Sequence, residues 1–397
     1  MHIREQYFSK IKPFINKQLI KVLTGQRRVG KSYMLKQIRD YILENNKNAN
    51  CIFIDKELFE FDDITDYKTL MKYVTLKQKK TNNYLFIDEV QEIDQFEKTL
   101  RSLLNKGDFD IYCTGSNAKM LSSEISTILS GRQIVIRIHT LSYLEFLQFH
   151  KLKSNNNNLL QYLNFGGLPY LINLPNNKIV ISEYLKNIYT TILFRDVVLR
   201  NNLRDVKFLD NLVKFLADST GSLFSTKSIY NYLKSNKIDK SIPIINRYLG
   251  YLEDAYFITS IKRSDLKGKK IFDSGEKFYF EDLGIRNALA GFNPNDIHKN
   301  MENVVLNHLL INDYKVTVGN HNNKEIDFIA TKNNEKVYIQ VTYLLTEKST
   351  IEREFGNLLA IKDNYPKYVI TLDNFETPNT YEGIKHLILE NFLVNFE

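Results

Sequence analysis

Short apolar runs alternate with helix-like segments between Leu19 and His150. The runs, which are rich in β-branched and aromatic residues, are QLIKVLTG, CIFID, NYLFIDEV, FDIYCTG and QIVIRIH. Strands that alternate with helices form βαβ units, and their right-handed crossovers build a doubly wound parallel sheet with helices on both faces. The pattern therefore predicts an α/β domain over residues 1–153, which ends at the polar loop SNNNN.

The pattern changes after this loop. Residues 154–205 have mostly helical spacing interrupted by the turn GGLP, which predicts a helical lid or connector. Residues 206–272 contain three helical segments, an apolar run, a basic turn and a second short run, which is the element order of a winged helix. Residues 273–397 predict a helix, three strands, a helix, a strand and a final helix, which together make a small α/β domain.

The segment GQRRVGKS fits the phosphate-binding pattern G-x-x-x-x-G-K-[ST] and lies between the strand IKVLT and a helix. Its glycines let backbone N–H groups face a phosphate, Lys31 places a charge at the β- and γ-phosphates, and Ser32 offers a hydroxyl to Mg²⁺. The expected cofactors are ATP and Mg²⁺; no N-K-x-D motif lies where a GTPase has it, and other nucleoside triphosphates stay open. The predicted nucleotide contacts are Gly25, Gln26, Arg27, Arg28, Val29, Gly30, Lys31, Ser32, Tyr33 and Thr114.

Two adjacent carboxylates end the apolar run YLFIDE. The carboxyl ends of parallel strands form the edge of a sheet where ligands bind, so two charges placed there require an explanation. Asp88 is predicted to hold Mg²⁺, together with Ser32, and Glu89 to orient or deprotonate the attacking water. A base beside the metal favours hydrolysis over phosphoryl transfer to a small molecule. A solvated acidic turn is the alternative.

Three further polar residues follow in the same part of the chain. Thr114 and Ser116 come after the run FDIYC and are candidates for contact with the γ-phosphate; an N-cap for the helix AKMLSSEI is the alternative. Arg132, in LSGR, is a candidate for stabilising transition-state charge, in cis or from a neighbouring subunit, and a surface arginine is the alternative. Lys31, Glu89 and Arg132 make up the predicted catalytic set.

Several of these motifs occur together in one known group of proteins. GQRRVGKS, YLFIDEVQEI, CTGSNAKML and LSGR, with the later GGLP and YFEDLGIRNAL, resemble the prokaryotic AAA-type ATPases that have a C-terminal domain of unknown function. The resemblance covers nearly the whole chain. It implies a P-loop ATPase domain, a winged-helix module and a C-terminal domain similar in fold to restriction endonucleases, but no specific biological role.

The excess of basic residues is concentrated in one part of the chain. The chain has 54 Lys and Arg against 46 Asp and Glu, a net charge of +8. Residues 225–270 hold ten basic and four acidic residues, and the turn lysines Lys267, Lys269 and Lys270 are among them. A basic helix beside a basic wing predicts contact with DNA or RNA, and a packing or dimerisation module is the alternative. Only Arg247 on the third helix suits bidentate base reading, which predicts weak sequence selectivity.

Acidic residues in the last segment resemble part of an endonuclease site. Glu302, Asp327 and the strand VYIQVTY correspond to the acidic residue, the Asp and the E-x-K strand of such sites, which gather a divalent metal. The E-x-K positions are Gln340 and Thr342, so one metal ligand and the water-activating lysine are missing. The sequence predicts an inactive domain, and an ATP-dependent nuclease is the alternative. The first candidates for a relocated lysine are Lys324 and Lys336.

Cysteine usage and hydropathy indicate the compartment. Cys51 and Cys113 lie in apolar strand-like runs and are expected to be reduced and buried. No apolar run reaches the roughly 18 residues of a membrane span, and the charged start MHIREQYFSK differs from a secretory signal, so we expect a cytoplasmic protein. The expected partners are ATP, nucleic acid and a protein, with the oligomeric state left open. We predict an ATPase whose nucleotide state controls partner contact; a nucleotide-gated interaction module with little hydrolysis is the alternative.

Overall fold

The structure, a computed structural model, forms two compact units. The first comprises Met1–His139 with Asp254–Tyr256, and the second comprises Thr140–Glu253 with Phe257–Glu397. The residues described are 2–118, 131–238, 240–265, 275–322, 324–345, 348–372 and 380–396. Within these ranges no helix is both long and apolar enough to span a membrane. The predicted basic wing, with Lys267, Lys269 and Lys270, lies outside the described residues.

The first unit is built on a parallel five-stranded sheet. Its strands are β1 (Ile20–Thr24), β2 (Asn50–Asp55), β3 (Asn83–Asp88), β4 (Phe109–Gly115) and β5 (Gln133–Arg137). They lie in the spatial order β2-β3-β4-β1-β5, and every adjacent pair is parallel. The five apolar runs thus correspond to five strands, which confirms the predicted α/β architecture with a parallel sheet.

Helices cover both faces of this sheet. They are α1 (Glu5–Ile11), α2 (Lys31–Asn45), α3 (Tyr67–Lys77) and α4 (Phe96–Lys106). Because successive strand residues point to opposite faces, Ile87 packs with residues of α3 and α4, whereas Phe86 packs with residues of α1 and α2. Strand β3 is therefore buried on both faces, as its continuous apolar run predicts.

The second unit begins with helices. These are α5 (Tyr143–His150), α6 (Asn156–Phe165), α7 (Lys178–Thr191), which continues as a π-helix over Ile192–Leu199, and α8 (Val206–Asp218). Ser142 and Glu145 form a capping box at the start of α5, in which each side chain accepts a hydrogen bond from the other residue's backbone N–H. The cap fixes where the chain turns into the helical region.

The rest of the second unit contains a nine-stranded mixed sheet and six helices among the described residues. The strands are β6 (Leu223–Phe224), β7 (Ile258–Asp265), β8 (Glu276–Phe280), β9 (Lys315–His321), β10 (Lys324–Lys332), β11 (Glu335–Val341), β12 (Lys367–Thr371), β13 (Thr380–Tyr381) and β14 (Ile384–Ile388). The helices are α9 (Thr226–Ser235), α10 (Ile242–Asp254), α11 (Leu283–Ala290), α12 (Ile297–Ile311), α13 (Lys348–Leu359) and α14 (Leu389–Asn395). The spatial order of the strands is β13-β14-β12-β11-β10-β9-β7-β8-β6.

This sheet crosses the boundaries predicted from the sequence. Strand β7 belongs to the segment 206–272, yet it pairs in parallel with β9 of the segment 273–397, with Arg263 opposite Val318. Strand β8 pairs with both β7 and β6 in antiparallel fashion. Most of the segments 154–205, 206–272 and 273–397 falls within one compact unit that begins at Thr140, and Asp254–Tyr256 belong to the first unit. Pairing between strands about 50 residues apart leaves no signal in local hydropathy, which explains the difference.

The motifs GGLP and YFEDLGIRNAL meet in the second unit. Asp282 caps α11 by accepting from Ile285 N at 3.0 Å, and it also accepts from Gly167 N at 2.8 Å. A Cβ on Gly166, whose φ is 74°, would lie 2.5 Å from the same carboxylate. A Cβ on Gly284 would lie 2.0 Å from the carbonyl oxygen of Phe165. These glycines allow close backbone approach, so in this fold the two motifs have a structural role.

Candidate functional site

The loop between β1 and α2 has the backbone that a phosphate-binding loop requires. Gly25 and Gly30 have φ values of 144° and 98°, and Arg28 has a φ of 71°. A Cβ on Gly25 would lie 2.1 Å from the carbonyl oxygen of Ile138, so only glycine fits there. Gly30 is the N-cap of α2, which places the helix N-terminus and its free N–H groups at the loop.

The ammonium of Lys31 is held by this loop. Its Nζ donates to the carbonyl oxygens of Gly25 and Gln26, both at 3.0 Å, and lies 3.8 Å from Glu89 Oε1. The side chain is only 3% exposed. A buried charge fixed by neutral carbonyls retains its attraction for an anion, which suits a phosphate-binding role.

The two carboxylates at the end of β3 have different surroundings. Asp88 accepts from Thr114 Oγ1 at 2.5 Å and from the hydroxyl of Ser32, yet burial raises its pKa. Burial also acts to raise the pKa of Glu89, but the charges of Lys31 and Arg27 outweigh it and lower the pKa overall. Glu89 is therefore ionised at neutral pH, whereas Asp88 is the carboxylate that a nearby cation would stabilise.

Thr114 and Ser116 contact this acidic pair directly. Besides its bond to Asp88, Thr114 Oγ1 accepts from Glu89 N at 2.9 Å, and Ser116 Oγ donates to Glu89 Oε2 at 3.1 Å. Gln91 also donates to Glu89 Oε2. The two hydroxyls thus position both carboxylates. The helix for which they were alternative N-caps falls mostly in residues 119–130, outside the described residues.

The other predicted loop contacts differ in exposure. Val29 is fully buried in the core, and Gln26 is buried with no hydrogen-bond partner for its side-chain amide. Arg27 is buried and donates to Glu57 Oε1 at 2.9 Å. Arg28 and Tyr33 are exposed. Val29 can therefore contact a ligand only through its backbone atoms. The side chains of Arg28 and Tyr33 are exposed to solvent.

Arg132 lies at the opposite edge of the sheet. Its backbone carbonyl accepts from Ile20 N at 3.0 Å, at the amino end of β1, and its guanidinium donates to Asn105 at 2.9 Å. The phosphate-binding loop leaves β1 after Thr24, four residue steps of about 3.3 Å away. The proposed role of Arg132 in cis is therefore incompatible with this geometry. A residue that precedes a parallel strand belongs to the amino edge, and that signal was present in the sequence.

Two features of the site were missed from the sequence. Arg4 is buried, and its Nη1 donates to the carbonyl oxygens of Val29 at 3.0 Å and His139 at 2.8 Å. These two bonds connect the phosphate-binding loop to the segment after β5. Asp55 ends β2 directly opposite Asp88 in the strand register and is also buried. The run CIFID, which ends in an acid, indicated Asp55, whereas no local signal indicated Arg4.

The second unit contains another cluster of carboxylates, formed around Lys277 of β8. Lys277 Nζ lies 2.7 Å from Glu302 Oε1, 2.8 Å from Glu325 Oε1 and 3.5 Å from Asp327 Oδ1. Tyr279 donates its hydroxyl to Glu302 Oε1 at 2.5 Å. Glu302 and Asp327, which the sequence singled out, are therefore neighbours, and the lysine beside them is neither of the two candidates named from the sequence.

The E-x-K strand positions adjoin the same cluster. Gln340 Oε1 accepts from Asp327 N at 3.4 Å, and Asp327 Oδ2 accepts from Val341 N at 2.8 Å. Thr342 is also buried. In the part of the chain that the structure describes, no group of three or more His, Cys, Asp or Glu side chains is arranged to hold a metal ion.

Two family models match the chain. The AAA domain matches residues 17–147, which include the phosphate-binding loop and the carboxylates of β3. A domain of unknown function, DUF8612, matches residues 156–296. The first match supports a nucleotide-binding ATPase domain, in agreement with the resemblance noted from the motifs.

Relatives extend over almost the whole chain. An uncharacterized protein of Haemophilus influenzae is 32% identical over 398 residues, which cover 98% of both chains. Uncharacterized protein MJ1544 of Methanocaldococcus jannaschii is 34% identical over 366 residues, 87% of this chain and 79% of its own.

Two solved structures are weakly similar to this chain. The Aeropyrum pernix ORC1 protein in complex with DNA is 10% identical and covers 73% of this chain and 92% of its own, with a TM-score of 0.35. AMPPCP-bound DnaA from Aquifex aeolicus is 12% identical, and the match covers 64% of this chain and 89% of the DnaA chain, with a TM-score of 0.33. At these TM-scores the similarity supports no argument about fold or function.

Proposed function

This chain belongs to the family of the Haemophilus influenzae protein and MJ1544, and from its AAA domain we propose that it is a Mg²⁺-dependent ATPase. Its nucleotide state would control contact with nucleic acid or a protein partner. The observation that supports the proposal most is the convergence of three elements at one sheet edge: the loop lysine Lys31, the ionised Glu89 and the buried Asp88. ATP hydrolysis requires a phosphate cradle, a water-orienting base and a metal ligand, and these residues would provide them.

The residues present fit a Mg²⁺ ion. Mg²⁺ prefers oxygen ligands, and the hydroxyl of Ser32 already hydrogen-bonds the Asp88 carboxylate. When bound, the ion would neutralise charge on the β- and γ-phosphates. Asp55, opposite Asp88 on β2, adds negative charge that would strengthen cation binding at this edge.

The protein's own groups divide the remaining tasks. Lys31 and the backbone N–H groups at the start of α2 would bind the phosphates. Glu89 would orient a water and accept its proton, held in place by the Ser116 hydroxyl and the Thr114 contact to its backbone N–H. Thr114 would couple the metal ligand Asp88 to this base, because one hydroxyl contacts both residues.

A second candidate is a nucleotide-gated module that hydrolyses little ATP. It is favoured by the restraint on Glu89, whose two carboxylate oxygens face Gln91, Ser116 and Lys31. Steady-state release of phosphate in Mg-ATP separates the two. Many turnovers per chain establish the ATPase, whereas tight ATP binding with less than one turnover per hour establishes the sensor. Adding duplex DNA to the same assay tests whether a partner stimulates hydrolysis.

Contact with nucleic acid is proposed for the region from α8 to β8. Its elements follow the order helix, short strand, two helices and two strands, with β8 between β6 and β7, and this order supports the proposal of a winged helix. Lys227, Lys234 and Lys237, in or beside α9, and Arg247 in α10 are exposed. Exposed basic side chains on consecutive helices suit contact with backbone phosphates.

Salt dependence tests this contact. Each phosphate contact contributes about −0.9 to the slope of log K against log salt for duplex DNA. Replacing Lys267, Lys269 and Lys270 with Ala should therefore flatten the slope by about two to three. The matched control replaces the exposed lysines Lys72, Lys77 and Lys80 of the first unit, with the same loss of charge and no change in slope. Equal slopes for both triple variants would assign the basic turn to packing or solubility.

A further inference from the structure

The carboxylate cluster of the second unit is built around a lysine from another strand. Glu302 comes from α12, Glu325 and Asp327 come from β10, and Lys277 comes from β8. Endonuclease-like sites use such carboxylates to gather a divalent cation. Here the position between the carboxylates already holds a positive charge, the ammonium of Lys277.

The contacts of Lys277 account for all of its hydrogen-bonding capacity. An ammonium has three N–H donors and no acceptor, and Lys277 Nζ lies within 3.5 Å of three different carboxylates. Its side chain is 3% exposed. An ammonium with every donor engaged has none left to polarise a water, so Lys277 does not reproduce the missing lysine of an E-x-K strand.

Strand pairing and hydrogen bonds hold the members of this cluster in place. Lys277 lies on β8, which is next to the short edge strand β6 and pairs with both β6 and β7, so its backbone is held by strand pairing on both sides. Glu302 is held by Tyr279, and a Cβ added to Gly221 would lie 3.1 Å from Glu302 Oε2. Asp327 is anchored by Val341 N. Glu302 and Asp327 are thus held beside the ammonium by contacts other than the ion pairs themselves.

We propose that the ammonium of Lys277 is the resident cation of this cluster and takes the place that a divalent metal has in endonuclease-like sites. A divalent ion would have to share the same carboxylates with a buried positive charge, and Coulomb repulsion in such surroundings excludes it. The cluster therefore stabilises the second unit without binding metal. The inference is independent of the proposed ATPase, which uses residues of the first unit.

The proposal makes a gain-of-function prediction. Lys277→Met keeps the apolar stem and removes the charge, which leaves Glu302, Glu325 and Asp327 facing one another. The full-length variant without nucleotide should bind about one more Mn²⁺ per chain than the wild type, because without the ammonium the three carboxylates repel one another until they close around a divalent ion. Electron paramagnetic resonance of free Mn²⁺ counts bound ions directly, and Lys277→Met/Asp327→Asn should lose the additional ion.

The wild type tests the same proposal without the lysine variant. Wild type and Asp327→Asn should bind equal numbers of Mn²⁺, since Mn²⁺ at the first unit is common to both. Greater binding by the wild type would show that metal and lysine coexist and would overturn the proposal.

Failure of Lys277→Met to fold is also informative. Mn²⁺ present during refolding should restore a cooperative thermal transition, because the ion replaces the missing charge. A folded variant with no additional Mn²⁺, or an unfolded one that Mn²⁺ does not rescue, contradicts the assignment.

Discussion

Two clusters of this chain combine a buried lysine with carboxylates, and they differ in what the lysine contacts. In the first unit, Lys31 is held by carbonyl oxygens of its own loop at 3.0 Å and is 3.8 Å from Glu89. In the second unit, Lys277 is 2.7 Å from Glu302 and 2.8 Å from Glu325. The same residue types therefore give a charge that can bind a ligand in one place and an internally neutralised group in the other.

The backbone around each lysine explains the contrast. Gly25 and Gly30 adopt positive φ, so the chain folds back and turns its carbonyl groups towards Lys31. Lys277 is on β8, which pairs with a strand on each side, so nearby carbonyl groups are committed to strand pairing and the ammonium contacts carboxylate side chains. A lysine on a glycine-rich loop is available to a phosphate, whereas a lysine on a paired strand is available to its neighbours.

The largest expected effect comes from Glu89→Gln, which removes the proposed base and keeps its shape. ATP binding should remain and hydrolysis should fall by about 10² to 10⁴, the usual range for loss of a general base. Phosphate release and ATP affinity measured on the same sample check both parts. Glu325→Gln makes the same change in the other cluster and should leave hydrolysis unchanged; a Glu89→Gln enzyme as fast as the wild type would place the base elsewhere.

The contrast also shows what the sequence could and could not predict. The phosphate-binding loop and the acidic pair of β3 are contiguous segments, so motif, strand and helix signals identified them together. Thr114 was predictable because parallel strands end at one edge. By the same rule Arg132 had to lie at the other edge, since it precedes β5.

Contacts between distant segments were beyond this reasoning. Lys277 is 25 residues from Glu302 and 50 from Asp327, and it joins them because β7 connects β8 to β9 in one sheet. Arg4 reaches His139 across 135 residues. Such contacts depend on strand order, which local hydropathy does not encode.

The second effect in size is the loss of stability on removing each lysine. Lys277→Met leaves buried carboxylates without a counter-charge and should lower the free energy of unfolding by about 3–5 kcal/mol. Lys31→Met removes bonds to neutral carbonyls, and Glu89 keeps Arg27, so the loss should be on the order of 1 kcal/mol. Chemical denaturation without nucleotide or metal measures both. Equal losses would mean that the two lysines have the same structural role.

The third effect is smaller and concerns ligand binding. ATP at 100 times its dissociation constant should stabilise the wild type by about 2.7 kcal/mol. Lys31→Ala should lose this stabilisation, because the charge at the β- and γ-phosphates is gone. Denaturation with and without Mg-ATP provides the comparison, and Glu325→Gln serves as the control that retains it. A full ATP effect in Lys31→Ala would remove the loop from the binding site.

The smallest effect is a difference in pH dependence between the clusters. Burial raises the pKa of Asp327 from 3.8 to about 7, with the nearby Glu302 charge adding to the shift and Lys277 opposing it. Between pH 3.8 and about pH 7 the folded state then holds one more proton than the unfolded state. The free energy of unfolding therefore falls as the pH rises, by up to about 1.4 kcal/mol per pH unit. The pKa of Glu89 is shifted in the opposite direction, below the ordinary glutamate value of 4.5. The stability that ionised Glu89 contributes is therefore lost only as the pH falls below 4.5.

Denaturation of wild type and Asp327→Asn between pH 5 and pH 7 isolates this contribution. The wild type should lose stability relative to Asp327→Asn as the pH rises, because asparagine has no proton to release. Glu89→Gln should follow the wild type across the same range, since Glu89 stays ionised throughout it. If the free energy of unfolding of the wild type and of Asp327→Asn changed equally with pH over this range, Asp327 would be ionised at all these pH values. The ammonium of Lys277 would then outweigh burial, and the second cluster would be as strongly ion-paired as the distances to Glu302 and Glu325 alone indicate.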